Sequence, residues 1–184
     1  MAKTDLSTYD NNWYDPGAGF LKRTLWHFVN HLIFTHGFLP VSSLKILLLR
    51  MFGAKIGSGV NIKPSVNIKY PWLLEVGDYV WIGENVWIDN LAKVAIGNNV
   101  CLSQGAMLLT GNHNYKSPTF DLSVGEITLE EGVWIGARSV VSPNVFCFSH
   151  SILSVNSVAT KDLEAYGIYQ GNPAVKVKTR GISG

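Results

Sequence analysis

Lys55-Ile56-Gly57-Ser58-Gly59-Val60-Asn61-Ile62 returns twenty residues later as Glu75-Val76-Gly77-Asp78-Tyr79-Val80-Trp81-Ile82. It returns again, after another twenty, as Ala95-Ile96-Gly97-Asn98-Asn99-Val100-Cys101-Leu102. A fourth copy, Thr128-Leu129-Glu130-Glu131-Gly132-Val133-Trp134-Ile135, starts thirty-three residues on, which is twenty plus an insertion of thirteen. A short fixed period marks a solenoid, in which each unit stacks on the last and none buries its apolar edge alone.

Within the period a shorter one runs in sixes. Ile56, Ile62 and Ile68 are followed by Val76, Ile82 and Ile88, then Ile96, Leu102 and Leu108, and after the insertion Leu129, Ile135, Val141, Cys147 and Leu153. A small or β-branched residue follows most of them by four, as at Val60, Val80, Ala106 and Ser139. Three hexads make a triangular turn of three short parallel strands, with the large apolar residue inward. Gly57, Gly77, Gly83, Gly97 and Gly136 fall at corners, where close backbone approach or unusual dihedrals favour glycine. A spacing of twenty rather than eighteen adds two residues at one corner. The expectation is an all-β solenoid of about five coils over residues 54–166, with a His-bearing loop at 111–127 and a C-terminal tail at 167–184.

Ahead of the coil, Phe20 to Phe34 and Leu39 to Phe52 are apolar but interrupted by Lys22, Arg23, His27 and His31, and by Pro40, Ser42 and Lys45. Neither reaches the ~18–20 uninterrupted apolar residues of a membrane span. Both read as amphipathic helices, the first ended by Gly37, the second opened by Pro40 and ended by Gly53. They cap the open end of the coil or pack between subunits. Peripheral membrane contact through residues 20–52 is the alternative, because basic residues flank the aromatic ones.

The bulk composition narrows the function classes. Of 184 residues, 47% are hydrophobic and 15% charged, enough for a large core and too apolar for disorder. A net charge of +2 with no clustered arginines gives no nucleic-acid footprint. Two cysteines, Cys101 and Cys147, fall in apolar hexad positions and read as packed thiols. That reading, with no signal-peptide pattern at the start, points to a cytoplasmic protein.

The hexads resemble those of the left-handed parallel β-helix acyltransferases, the hexapeptide-repeat family. Three further stretches are similar to its sugar O-acetyltransferases: Leu109-Thr110-Gly111-Asn112-His113-Asn114-Tyr115, Val133-Trp134-Ile135-Gly136-Ala137, and Thr160-Lys161-Asp162 with Gly171-Asn172-Pro173-Ala174. Tyr70-Pro71-Trp72 and Trp87-Ile88-Asp89-Asn90 resemble the colanic-acid-biosynthesis type, and the maltose and galactoside enzymes are more distant. The resemblance implies a left-handed coil and an acetyl-CoA-dependent O-acetyltransferase without a metal. It also implies a sugar or exopolysaccharide precursor as acceptor, and an active site between two subunits of a homotrimer. Trp72, Trp81 and Trp87 are in any case too many aromatics for a narrow exterior to leave wet.

An alcohol attacks a thioester only as its proton is accepted, and imidazole titrates in the working range, so His113 in the insertion is the expected general base. By resemblance, Ala137 supplies the backbone N–H for the oxyanion and Trp134 walls the thioester cleft. The expected coenzyme contacts are Trp134, Ala137, Val155, Thr160, Lys161, Pro173 and Arg180, with Lys161 and Arg180 toward the phosphates. The family's acceptor-binding asparagine falls near Gly83, so Asn85, Asp89 and Asn90 are the nearby polar candidates.

The chain departs from the family pattern at two corners. Asn144 replaces glycine in Pro143-Asn144-Val145, a substitution that a left-handed corner tolerates. Ser154-Val155-Asn156 replaces a Gly-Ala-Gly run and crowds the expected adenosine groove. That crowding favours the competing reading, a non-catalytic scaffold or binding protein on the same coil. A zinc hydrase would need three histidines per metal, and the coil offers only His113 and His150.

Overall fold

The computed structural model describes residues 3–37 and 40–183. From Lys55 onward the chain winds as a triangular parallel β-solenoid with three faces. Face 1 stacks Lys55–Ile56, Leu74–Val76, Val94–Ile96, Ile127–Leu129 and Phe146–Cys147. Face 2 stacks Asn61–Ile62, Trp81–Ile82, Cys101–Leu102, Trp134–Ile135 and Ile152–Leu153. Face 3 stacks Asn67–Ile68, Trp87–Asp89, Met107–Leu109, Val140–Val141 and Val158–Ala159. The registers repeat the sequence period: Ile56 pairs with Val76, Ile82 with Leu102, and Trp134 with both Cys101 and Ile152.

The coil is longer than five turns. Leu163 bridges Cys147 on face 1, and Gly167–Gly171 pairs with Ile152–Leu153 on face 2. These make two sides of a sixth turn. Ala174–Thr179 then folds back antiparallel on Gly167–Gly171. The expected tail is thus a hairpin that extends face 2. The hexad period hid the sixth turn because its strands come at shorter intervals.

The inward column on face 2, Ile62, Ile82, Leu102, Ile135 and Leu153, is at most 1% exposed. Each such side chain contributes ~1.5–3 kcal/mol by leaving water. The residue four later is buried too: Val60, Val66, Val80, Val86, Val100, Ala106, Val133, Ser139, Val145, Ser151 and Ser157. Ala92 is the exception, because the two extra residues at its corner put Val94 inside instead. Corner glycines such as Gly136 answer to crowding, since a Cβ there would stand 2.7 Å from the Leu153 carbonyl oxygen of the next coil. The left-handed dihedrals fall two residues later, on Asn85, Arg138, Asn144 and Asn156. Asn144, with φ 62°, holds the corner as its residue type predicts.

Helix α1 (Phe20–Val29) continues into a wider π-type turn over Asn30–Thr35, and α2 spans Ser42–Met51. Leu39, the expected start of the second helix, lies outside the described residues. The helices close the bottom of the coil by satisfying its otherwise open first turn. Trp26 Nε1 donates to the Ile68 carbonyl at 2.9 Å, Lys45 Nζ to the Lys63 carbonyl at 2.8 Å, and Ser42 Oγ to the Ile62 carbonyl at 3.0 Å. Burial lowers the Lys45 ammonium pKa. Among the described residues no helix is long and apolar enough to cross a membrane.

Residues 3–17 climb the corner between faces 3 and 1. Trp72 Nε1 donates to the Pro16 carbonyl at 2.6 Å, Tyr14 Oη to the Leu91 carbonyl at 2.7 Å, and Asp5 N–H to the Pro118 carbonyl at 2.8 Å. Trp72, expected at a subunit contact, is therefore covered by the chain's own arm, stacked on Tyr70 and capped by the Lys22 ammonium.

Candidate active site

The insertion leaves face 3 after Leu109 and rejoins the coil at Ile127. Its ends pair as an antiparallel hairpin, Gly111–His113 with Leu122–Val124. This hairpin fixes His113. The ring stacks on Phe120 at 4.4 Å and 9° from parallel, with Tyr9 of the arm at 5.9 Å. His113 Nδ1 lies 2.9 Å from the Phe120 carbonyl oxygen. A carbonyl can only accept, so Nδ1 carries the hydrogen. In the neutral ring Nε2 then holds the lone pair, the form a general base requires.

His113 opens on a cleft of about 510 Å³ between the arm and the coil, lined also by Tyr9, Tyr14, Arg23, Lys69 and Tyr70. Burial raises the Tyr14 phenol pKa, and nearby Tyr70 and Asp89 raise it further. The Lys69 ammonium meets the Asp89 carboxylate at 3.0 Å. Periodicity did not mark Phe120, Tyr9, Arg23 and Lys69 as neighbours of this cleft: Phe120 comes across the hairpin, Tyr9 from the arm, Arg23 from α1 and Lys69 from the coil.

Ala137 stands at the corner between faces 2 and 3. Its carbonyl accepts from Asn156 N–H at 2.9 Å, while its own N–H meets no acceptor among the described residues. The preceding N–H, on Gly136, is bonded to Leu153 in the next coil, and so are its counterparts on Gly83 and Ser103 to theirs. The Glu84, Gln104 and Val155 amides share the unpaired state of Ala137. The corner between faces 1 and 2 is mixed: the Asn98 and Glu131 amides also meet no acceptor among the described residues, but others are capped by side chains. There Asp78 Oδ1 accepts from Ser58 N–H at 2.7 Å and Asn98 Oδ1 from Asp78 N–H at 2.8 Å. A column of free amide donors therefore runs along the 2–3 corner.

Trp134 is 45% exposed on face 2 and donates from Nε1 to Ser103 Oγ at 2.9 Å. Val155 is exposed on the 2–3 corner, where Ser154 and Asn156 have ordinary coil bonds to Tyr169 and Ala137. The Val155 and Asn156 side chains are both exposed there. Pro173 sits at the tip of the terminal hairpin, whose Gly171 N–H donates to Ser157 Oγ at 3.0 Å at the same corner. Thr160 and Lys161 are exposed on the corner between faces 3 and 1, the corner that carries His113.

Arg180 is not with them. Its guanidinium donates to the Gly132 carbonyl at 2.9 Å and the His150 carbonyl at 3.2 Å, at the corner between faces 1 and 2. The antiparallel return of the terminal hairpin carries it there, away from the expected phosphate site. Asn90 is also misplaced as an acceptor contact. It is fully buried and stapled to Tyr70, accepting from its N–H at 2.9 Å and donating to its carbonyl at 2.6 Å. Asn85 is exposed on the 2–3 corner, and Asp89 lies with Lys69 in a neighbouring depression under α1. One chain thus separates His113 from Ala137 by the width of face 3.

Of the two thiols, Cys147 is buried and Cys101 half-buried on the outward side of face 2, and burial raises the pKa of each. Among the described residues no three His, Cys, Asp or Glu side chains are grouped closely enough to hold a metal ion.

No family model matches the chain. Individual proteins do. The Escherichia coli protein WcaF, assigned as a colanic acid biosynthesis acetyltransferase, is 36% identical over 96% of this chain and 97% of its own length. The galactoside O-acetyltransferase of Escherichia coli is 27% identical over 72% of this chain and 66% of its own. Among solved structures, a hexapeptide-repeat acetyltransferase of Vibrio cholerae in complex with acetyl coenzyme A superposes with a TM-score of 0.80 at 20% identity, over 90% of this chain and 91% of that one. A maltose O-acetyltransferase from Clostridium difficile gives 0.75 at 19% identity, over 88% of each chain. A coil of hexads with a histidine-bearing insertion, matched over nearly its whole length by WcaF, belongs to the hexapeptide-repeat acetyltransferase family.

Proposed function

We propose that this protein transfers an acetyl group from acetyl-CoA to a hydroxyl of a sugar or exopolysaccharide precursor, by direct attack with His113 as general base. The observation that carries the reading is the His113–Phe120 hydrogen bond, which leaves Nε2 as the acceptor. The acceptor oxygen attacks the thioester carbon while Nε2 takes its proton. The carbonyl oxygen becomes an oxyanion, met by the free N–H of Ala137. Collapse breaks the carbon–sulfur bond, and the departing coenzyme thiolate regains the proton from His113. Acetyl-CoA as donor is supported by membership of the family and by the acetyl-CoA complex of the Vibrio cholerae relative on the same fold.

The separation of His113 from Ala137 supports a site built by two chains. With three coils set around a threefold axis, face 3 inward, the 3–1 corner of each meets the 2–3 corner of the next. His113, Thr160 and Lys161 of one chain then face Trp134, Ala137, Val155 and Pro173 of its neighbour. Above Asn67 in the first coil, the outward column of face 3, Trp87, Met107, Val140 and Val158, is apolar. The corresponding column of face 1 carries Lys55 and Glu75, joined by an ion pair at 2.7 Å. The apolar face suits the interior of a trimer. The coenzyme arm would lie along the amide column of the 2–3 corner, with its phosphates toward Lys161.

The test is thiol release from acetyl-CoA with a panel of glycans and sugar derivatives, together with the mass of the particle in solution. Acceptor-dependent release by a trimer supports the reading. A protein that binds no coenzyme A would be the scaffold instead.

A further inference from the structure

Arg23 stands where three depressions meet. One is the His113 cleft. The second, about 430 Å³, runs under α1 past Lys69 and Asp89. The third, about 380 Å³, is a shallow trough on the outer side of α1 between Phe20 and Phe28, with Thr24 and His27. Arg23 lines all three.

The charges in this junction do not balance. Lys69 is paired with Asp89. No carboxylate among the described residues pairs with Arg23, and its Nε is buried without a hydrogen-bond partner. A buried guanidinium donor left unpaired is costly, and the planar donor fork of arginine fits phosphate oxygens. On the far side of Arg23 the surface turns apolar. Phe20 is 76% exposed and Phe28 57%, with Leu21, Leu25 and Leu32 exposed along the same helical segment. A water-soluble sugar has no use for that surface.

The order of these features describes one ligand. We propose that the acceptor is a sugar joined through a phosphate or diphosphate to an apolar chain, with the sugar at His113, the anion on Arg23 and the chain over Phe20 and Phe28. This rests on the acetyltransferase reading for the sugar end alone; the anion and the chain are read from α1. It assigns the N-terminal helices a part in holding the acceptor as well as in closing the coil.

The test needs no knowledge of the sugar. Farnesyl diphosphate, inorganic pyrophosphate and farnesol, each below any aggregation threshold, are titrated into the full-length protein by calorimetry. Farnesyl diphosphate is expected to bind at least about tenfold more tightly than pyrophosphate or farnesol, since both ends contribute. Arg23→Gln should weaken it about tenfold or more, the usual loss of a charge-assisted bond. Phe28→Ser, at an exposed position that leaves the fold alone, should weaken farnesyl diphosphate and leave pyrophosphate unchanged.

Pyrophosphate binding as tightly as farnesyl diphosphate, with Phe28→Ser silent, would overturn the apolar chain and leave a water-soluble sugar nucleotide as the source of the anion. Arg23→Gln binding like wild type would overturn the anion site, and a second α1 apolar face buried on the first in the oligomer would overturn the apolar chain. Acetyl-CoA affinity, measured on the same samples, reports on the transferase reading separately.

Discussion

The Nδ1 of His113 lies 2.9 Å from the carbonyl oxygen of Phe120, seven residues on, and the two rings stack. One residue thus sets both the tautomer and the plane of the His113 ring, the proposed base. His113→Ala is expected to lower turnover by about 10²–10⁴-fold, the usual contribution of a general base. Acetyl-CoA affinity should stay near wild type, because the proposed coenzyme contacts lie on other elements. Turnover close to wild type would remove His113 from the mechanism.

Ala137 can be tested without deleting a side chain. The first coil already carries proline at the equivalent corner, in Lys63-Pro64-Ser65, so Ala137→Pro fits the turn and removes only the N–H. The variant should keep its melting temperature within a few degrees. It should lose about 10²–10³ in kcat, the scale of one oxyanion donor. An unchanged kcat would mean that the charge is stabilised elsewhere.

Asn90 separates architecture from recognition. Asn90→Ala leaves the Tyr70 N–H and carbonyl unpaired inside the corner, at a cost of about 1–3 kcal/mol for each buried group. The melting temperature should fall while the acceptor KM of the folded fraction holds. A raised acceptor KM at unchanged stability would restore Asn90 as a substrate contact.

Both thiols are disfavoured as thiolates, since burial raises their pKa, and the thiolate is the nucleophile. At neutral pH Cys147 should resist iodoacetamide until the protein unfolds, and Cys101 should react slowly. Labelling should therefore not track loss of activity. Rapid inactivation by modification of Cys101 would point to an acyl-enzyme instead of direct transfer.

Much of this was legible because inward side chains in a coil must repeat. Ile56, Ile62 and Ile68 announce three faces, and the break after Leu109 announces the insertion and its histidine. Residues whose roles come from non-periodic contacts were misread. Arg180 follows the coil in sequence, yet an antiparallel return carries it to a different corner. Asn90 looks like a polar surface residue until the corner backbone closes over it. The arm of residues 3–17 is polar and aperiodic, and only its hydrogen bonds to Trp72, Leu91 and Pro118 show that it walls the cleft. The sixth turn hid for the same reason, since Leu163 bridges Cys147 off the hexad spacing.

The central claim is that one chain's His113 works with its neighbour's Ala137, and complementation measures this directly. His113→Ala and Ala137→Pro chains, each nearly inactive alone, are unfolded together in equal amounts, refolded and assayed for thiol release from acetyl-CoA. The account predicts recovery to roughly a quarter of wild-type turnover, the statistical share of two-chain sites that draw both intact groups. Activity no higher than that of the separate variants, in particles shown to be mixed, would place both groups in one chain and contradict it.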